Sequence, residues 1–124
     1  MLRLILVCAF AALIAPEAVA LTRGTEEVPN YDVKQACQAL SMLPEARSVG
    51  RSADEAASTC LASEEQARER LTSEWSQFAP GDRAMCIGVS QAGSVGPAYT
   101  ELETCLEMAR DSALRERRAG VRQQ

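Results

Sequence analysis

Apolar side chains recur at intervals of three and four residues along most of the chain, and this spacing predicts helices. In the first predicted helix, Asn30 is the N-cap and Pro44 follows the last turn, because proline disfavours helix in the residue before it. No stretch alternates apolar and polar residues between hairpin turns, as a strand pair would. The apolar positions of this helix are Val33, Ala36, Cys37, Leu40 and Leu43.

The second predicted helix is the longest and runs from Ser52 to about residue 78. Ser52 and Glu55 have the spacing of a capping box, in which the serine caps the helix start and the glutamate reaches back. Glu64 interrupts the apolar face and a second such spacing begins at Ser63, so we expect a kink or restart there. The apolar positions are Ala57, Cys60, Leu61, Ala67, Leu71, Trp75 and Phe78.

Two more helices are predicted on either side of a glycine-rich loop. Pro80 suits the first turn of a short third helix, and a fourth begins near Pro97 and ends near Arg118. The apolar positions are Ala84, Met85, Cys86 and Val89 in the third helix, and Tyr99, Leu102, Cys105, Leu106, Ala109 and Ala113 in the fourth.

These patterns predict an all-α fold, a small four-helix bundle of antiparallel hairpins. The helical domain covers residues 31–118, between a flexible N-terminal arm (residues 21–30) and a flexible C-terminal tail (residues 119–124). The chain has few aromatic residues, and a small domain with so few large side chains is marginally stable without covalent help.

The first twenty residues have the layout of a secretory signal peptide. A positive start at Arg3 precedes eleven apolar residues, 4–14, and the small residues 18–20 then suit cleavage between Ala20 and Leu21. The alternative is a membrane anchor, but spanning a bilayer requires about 20 apolar residues. We therefore predict a periplasmic or secreted protein that makes no membrane contact once the signal is removed.

The mature chain keeps four cysteines, Cys37, Cys60, Cys86 and Cys105, which in an oxidising compartment predict two disulfides. Helix geometry places Cys60 about 30 Å before the turn at residue 80 and Cys86 only about 9 Å after it. The two cysteines therefore lie at very different distances from the turn. Because bonded cysteines have Cα atoms within about 7 Å, Cys60 and Cys86 cannot pair. Antiparallel hairpins favour Cys37–Cys60 with Cys86–Cys105. Parallel helices, which stay possible, would join Cys37 to Cys86 and Cys60 to Cys105.

The residue types and their spacing give little support for a catalytic or metal-binding site. The cysteines are separated by 22, 25 and 18 residues, which does not suit a redox pair or a zinc site. The chain has no histidine, so Ser94, in a string like a nucleophile elbow, lacks its usual base. Lys34 has no convincing serine partner. We expect the carboxylates of Glu64, Glu65, Glu101, Glu103 and Glu107 to lie on exposed helix faces.

Charge argues against a nucleic-acid partner, because the formal net charge is −4. The basic residues cluster at the C-terminus, where Arg115, Arg117, Arg118 and Arg122 outnumber Glu116. Such a cluster either contacts an acidic partner or an anionic lipid, or complements the dipole of a helix end. We favour the interpretation that the arginines complement the dipole of a helix end. The residues predict no cofactor, no metal and no catalytic group.

A family resemblance lies in two runs, EEQARERLTSEWSQFAPGDRAMC and YTELETCLEMARD. They resemble small exported bacterial helical proteins with paired cysteines. The resemblance implies an exported helical protein and brings no activity or site residue with it. The features that carry it are Cys60, residues 65–68, residues 75–78 with Pro80, residues 82–86 and residues 99–106.

Two functions are compatible with this sequence. The first is a non-catalytic exported protein that binds another protein or an envelope component through its helical faces. The alternative is a periplasmic chaperone or a carrier of hydrophobic ligands. Met42, Met85 and Met108 favour the alternative, since methionine side chains adapt to varied surfaces.

The mature protein is predicted to begin at Leu21. The intact mass of protein recovered from the exported fraction should equal that of residues 21–124. A mass that still includes residues 1–20 would contradict the predicted cleavage.

Overall fold

The computed structural model describes residues 25–47 and 50–122, and in these residues it contains helices and no strand. The predicted signal peptide and its cleavage point at Ala20 and Leu21 lie outside the described residues. In the described ranges, no helix combines the length and the apolar character needed to cross a bilayer. The helices are α1 (Val33–Ser41), α2 (Pro44–Arg47), α3 (Ala53–Glu74), α4 (Pro80–Gln91) and α5 (Tyr99–Arg122), with a 3₁₀ turn at Trp75–Gln77.

The first helix begins later than its sequence pattern predicts. Asp32, not Asn30, is the N-cap of α1, and its side chain accepts a hydrogen bond from the Lys34 N–H. The N–H of Tyr31 is already bound to the Tyr99 hydroxyl, so the chain turns into helix only after it. Pro44 then starts the one-turn helix α2, because a proline is tolerated at the first helical position.

The predicted capping box at the start of α3 is confirmed. The Ser52 hydroxyl accepts the Glu55 N–H, and the Glu55 carboxylate accepts the Ser52 N–H. That hydrogen bond from the Ser52 backbone holds the pKa of the Glu55 carboxyl below its ordinary value. The predicted kink near Ser63 is wrong, since α3 is unbroken from Ala53 to Glu74.

Residues 25–30 and 119–122 are the described parts of the two predicted flexible ends. In the arm, Thr25 is buried and its carbonyl accepts the indole N–H of Trp75 at 3.0 Å. At the other end α5 continues to Arg122, so residues 119–122 are helical instead of forming part of a tail. An unbroken series of helix-compatible residues from 99 to 119 explains the continuation, which a single glycine at Gly120 does not stop.

Each disulfide closes one pair of neighbouring helices. Cys37 bonds to Cys60 and joins α1 to α3, and Cys86 bonds to Cys105 and joins α4 to α5. The Cα separations are 5.5 Å and 5.6 Å, within the usual range. This is the sequential pairing that antiparallel hairpins favour. The packing of α3 against α5 then brings the two pairs into one helical bundle.

The core lies between α3 and α5 and is closed by Tyr31, just before α1, and by Trp75 and Phe78 at the 3₁₀ turn. Leu61, Met85 and Val89 were predicted to be apolar contacts of their helices but are exposed. For Met85 and Val89 the reason is that α4 packs mainly against α5, which leaves its opposite face in solvent. The buried cluster consists of Tyr31, Ala67, Leu71, Trp75, Phe78, Cys86, Tyr99, Leu102 and Leu106.

Replacing both cysteines of either disulfide by serine should destabilise the protein by roughly 3 kcal/mol, because each bond closes a loop of about 20 residues in the unfolded chain. Chemical denaturation of the oxidised protein and of both double variants measures the loss. Unchanged denaturation midpoints in both variants would contradict a structural role for the cysteines.

Candidate functional site

Two of the carboxylates expected on exposed helix faces are not exposed: Glu103 is half-buried, and Glu64 is buried. Glu64 is only 5% exposed, and its carboxylate accepts the Tyr99 N–H at 2.6 Å and the Thr100 hydroxyl. These donors lie at the start of α5, where backbone N–H groups lack partners within the helix and the dipole favours negative charge. Glu64 therefore caps a helix other than its own, which is a structural role.

A second buried polar group ties the arm to α4 and α5. The Tyr31 hydroxyl and the Ser90 hydroxyl are 2.6 Å apart, and the Tyr31 N–H donates to the Tyr99 hydroxyl at 2.8 Å. The two tyrosine rings also stack with centroids 4.9 Å apart. Burial raises the pKa of the Tyr31 hydroxyl, so this phenol stays protonated and holds the arm in place.

The remaining candidate residues from the sequence do not converge on one point. Glu65 pairs with Arg68 on the surface of α3, and Glu103 pairs with Arg70 across α3 and α5. Ser94 is exposed in the turn between α4 and α5, and Lys34 is exposed on α1. In the described part of the chain, no three His, Cys, Asp or Glu side chains are placed to hold a metal ion.

One exposed feature with a distinct chemistry is the end of α5, residues 113–122, which we name the terminal segment. Of its arginines only Arg122 lies in the last turn, where it complements the helix dipole. Every residue of this segment after Ala113 is exposed. Four arginines against one glutamate give it a formal charge of +3, which leaves −7 for the rest of a chain whose total is −4. Within residues 25–47 and 50–122, none of the four arginines forms an ion pair.

Contacts at Arg110 fix the direction in which the terminal segment leaves the body. The Arg110 guanidinium donates to the Glu74 carboxylate at 2.9 Å and lies 5.4 Å from the centroid of the Phe78 ring. A groove of about 190 Å³ follows, between Phe78 and the side chains of Leu114 and Arg117. Beyond this groove, the next surface hollow is lined by residues of α5 alone.

A larger hollow of about 420 Å³ lies between the arm and α3, but its chemistry is less suited to a ligand. The charged side chains that line it, Glu26, Glu27 and Arg68, are all exposed to solvent. Water would therefore weaken their interaction with a charged ligand. Trp75 also lines it, yet this side chain is 5% exposed and offers little apolar surface. Small-molecule sites are usually lined mostly by apolar side chains.

Comparisons with protein-family models, with curated proteins and with solved structures found no match to this chain. The assignment of a site therefore depends on the geometry of the described residues.

Sequence reasoning found the arginines of the terminal segment but not the surface that they belong to. With residues 119–124 predicted as a tail, Leu114 and Val121 had no common face. The continuous helix places them seven residues apart on one side, 44% and 77% exposed. The absence of any breaker before Gly120 was the signal that could have extended the helix.

Replacing Glu64 by alanine should destabilise the protein by about 3 kcal/mol, because it leaves buried donors at the start of α5 without a partner. The matched control is Glu65→Ala, which removes a neighbouring exposed carboxylate and should cost under about 0.5 kcal/mol. Urea denaturation of both variants measures the difference. Equal losses in the two variants would contradict the capping role of Glu64.

Proposed function

We propose that this chain is a small exported, non-catalytic binding protein that contacts a protein or envelope partner through the terminal segment of α5. Its architecture in this proposal is a four-helix bundle of two antiparallel hairpins, preceded by a signal peptide. The observation that carries the proposal is the terminal segment itself, a basic and partly apolar helix end whose residues after Ala113 are all exposed.

The two disulfides support the compartment in this proposal. Disulfides persist in oxidising compartments and are rare in the cytosol. They also support a role in binding, since they hold the helices that carry the surface in one arrangement. A rigid surface loses less conformational entropy when a partner binds to it.

An alternative function is favoured by the exposure of three methionines. Met42, Met85 and Met108 are 64%, 55% and 61% exposed. Exposed methionines suit a chaperone or a carrier that adapts to different apolar ligands. Under this alternative, a dye that reports apolar surface would bind the native protein strongly as the pH falls, whereas a binding protein of fixed structure would give a weak, constant signal.

Site-specific photocrosslinking tests the proposed surface. A photoreactive residue at Leu114 or Val121 of the mature protein should form adducts in an envelope extract from the source cells. The same residue at Met42, which is exposed just after α1, is the control and should form few adducts. Double substitution of Arg117 and Arg118 by glutamate should abolish the adducts while the melting temperature is kept.

Equal labelling from Leu114, Val121 and Met42 would contradict a specific surface at the end of α5. Adducts that appear only from Met42 would move the binding surface to the other end of the bundle and overturn the proposal.

A further inference from the structure

We infer that the partner presents an acidic amphipathic helix, which packs along the terminal segment with its carboxylates on the arginines. This inference rests on the proposed function and specifies the chemistry of the partner. Its argument uses the spacing of two apolar side chains and the positions of two arginines.

The two apolar anchors have the seven-residue spacing of one position in a helix-pairing repeat, and arginines occupy the intermediate positions 117 and 118. Leu114 and Val121 lie seven residues apart, which is two turns, so both project from one side of α5. Helical partners are recognised through side chains at such intervals. The body of the protein ends at the groove beside Phe78 and Leu114, so a partner helix beginning there would continue the packing of the bundle.

The arginines beside these two apolar side chains favour a partner whose contacting residues are negatively charged. Arg117 and Arg118 follow Leu114 by three and four residues and border the line from Leu114 to Val121. Neither forms an ion pair with any described residue. A guanidinium binds a carboxylate through two parallel hydrogen bonds, which favours Glu or Asp at the flanking positions of the partner helix.

The same charges argue against two other occupants. A second terminal segment would place arginines against arginines, and like charges across an interface are costly. An anionic membrane would attract the arginines, but only Leu114 and Val121 could enter the interface, whereas interfacial helices carry a broad apolar face.

Titration with a designed peptide tests the inference on the mature, oxidised protein. The probe is a fluorescent helical peptide of about 20 residues, a length at which isolated helices become stable. It carries two leucines seven residues apart, flanked by glutamates, and the control peptide carries lysines instead. Fluorescence anisotropy should show binding of the acidic peptide alone, with an affinity that falls as salt is added.

Matched variants locate the contact. Substituting Arg117 and Arg118 by glutamate should weaken binding of the acidic peptide by at least about tenfold. The same charge change at Lys34 and Arg51, which are exposed on other elements, should leave it unchanged. Replacing Leu114 by serine should also weaken binding, which a purely electrostatic attraction would not predict. Circular dichroism confirms that each variant keeps its helices.

Three results would overturn the inference. Equal binding of the lysine peptide would remove the charge selection. Binding to phosphatidylglycerol vesicles but not to the acidic peptide would identify a lipid surface as the partner. Self-association of the protein that disappears when Arg117 and Arg118 are substituted would identify a second copy as the partner. If photocrosslinks form at Leu114 while the acidic peptide fails to bind, only the partner chemistry is wrong. If neither is seen, the proposed function fails as well.

Discussion

The buried carboxylate of Glu64 links two helix pairs, each of which is closed by its own disulfide. One disulfide bonds α1 to α3 and the other bonds α4 to α5, and neither bond crosses between the pairs. The joint depends on α3 and α5, where Glu64 receives the N–H of Tyr99 and the hydroxyl of Thr100. Leu71, Leu102 and Leu106 fill the contact beside them. A buried charge is tolerable there because its partners are hydrogen-bond donors and a helix dipole.

The orientation of α5 follows from four attachments along its length. Glu64 holds its first turn, and the Arg70–Glu103 ion pair and the Cys86–Cys105 bond hold its second. Glu74 and Phe78 contact Arg110 near the middle of the helix. The final turns have no attachment of their own in the described chain. Their direction is nevertheless set by the earlier part of the helix, because all turns of a continuous α-helix share one axis.

Periodicity and helix geometry predicted the helices and the sequential disulfides because both depend on neighbours in the chain. Glu64 could not be recognised in the same way, since its partners at Tyr99 and Thr100 are more than thirty residues away. A glutamate within an apolar stripe then suggests a break in the helix. The exposure of Met85 was missed for a related reason, because an apolar stripe does not reveal how many helices will cover it. The charge of the terminal segment was visible in the sequence, and its helical face was not.

Both disulfides connect cysteines that are consecutive within the described residues, and this order affects how the protein acquires them. A polypeptide emerges N-terminus first, so Cys60 appears when Cys37 is the only one of these four cysteines already present. Cys86 then appears with the first pair already able to form, and Cys105 completes the second. Oxidation in the order of emergence therefore reaches the native connectivity directly. Such a protein has little need of an isomerase to correct its bonds.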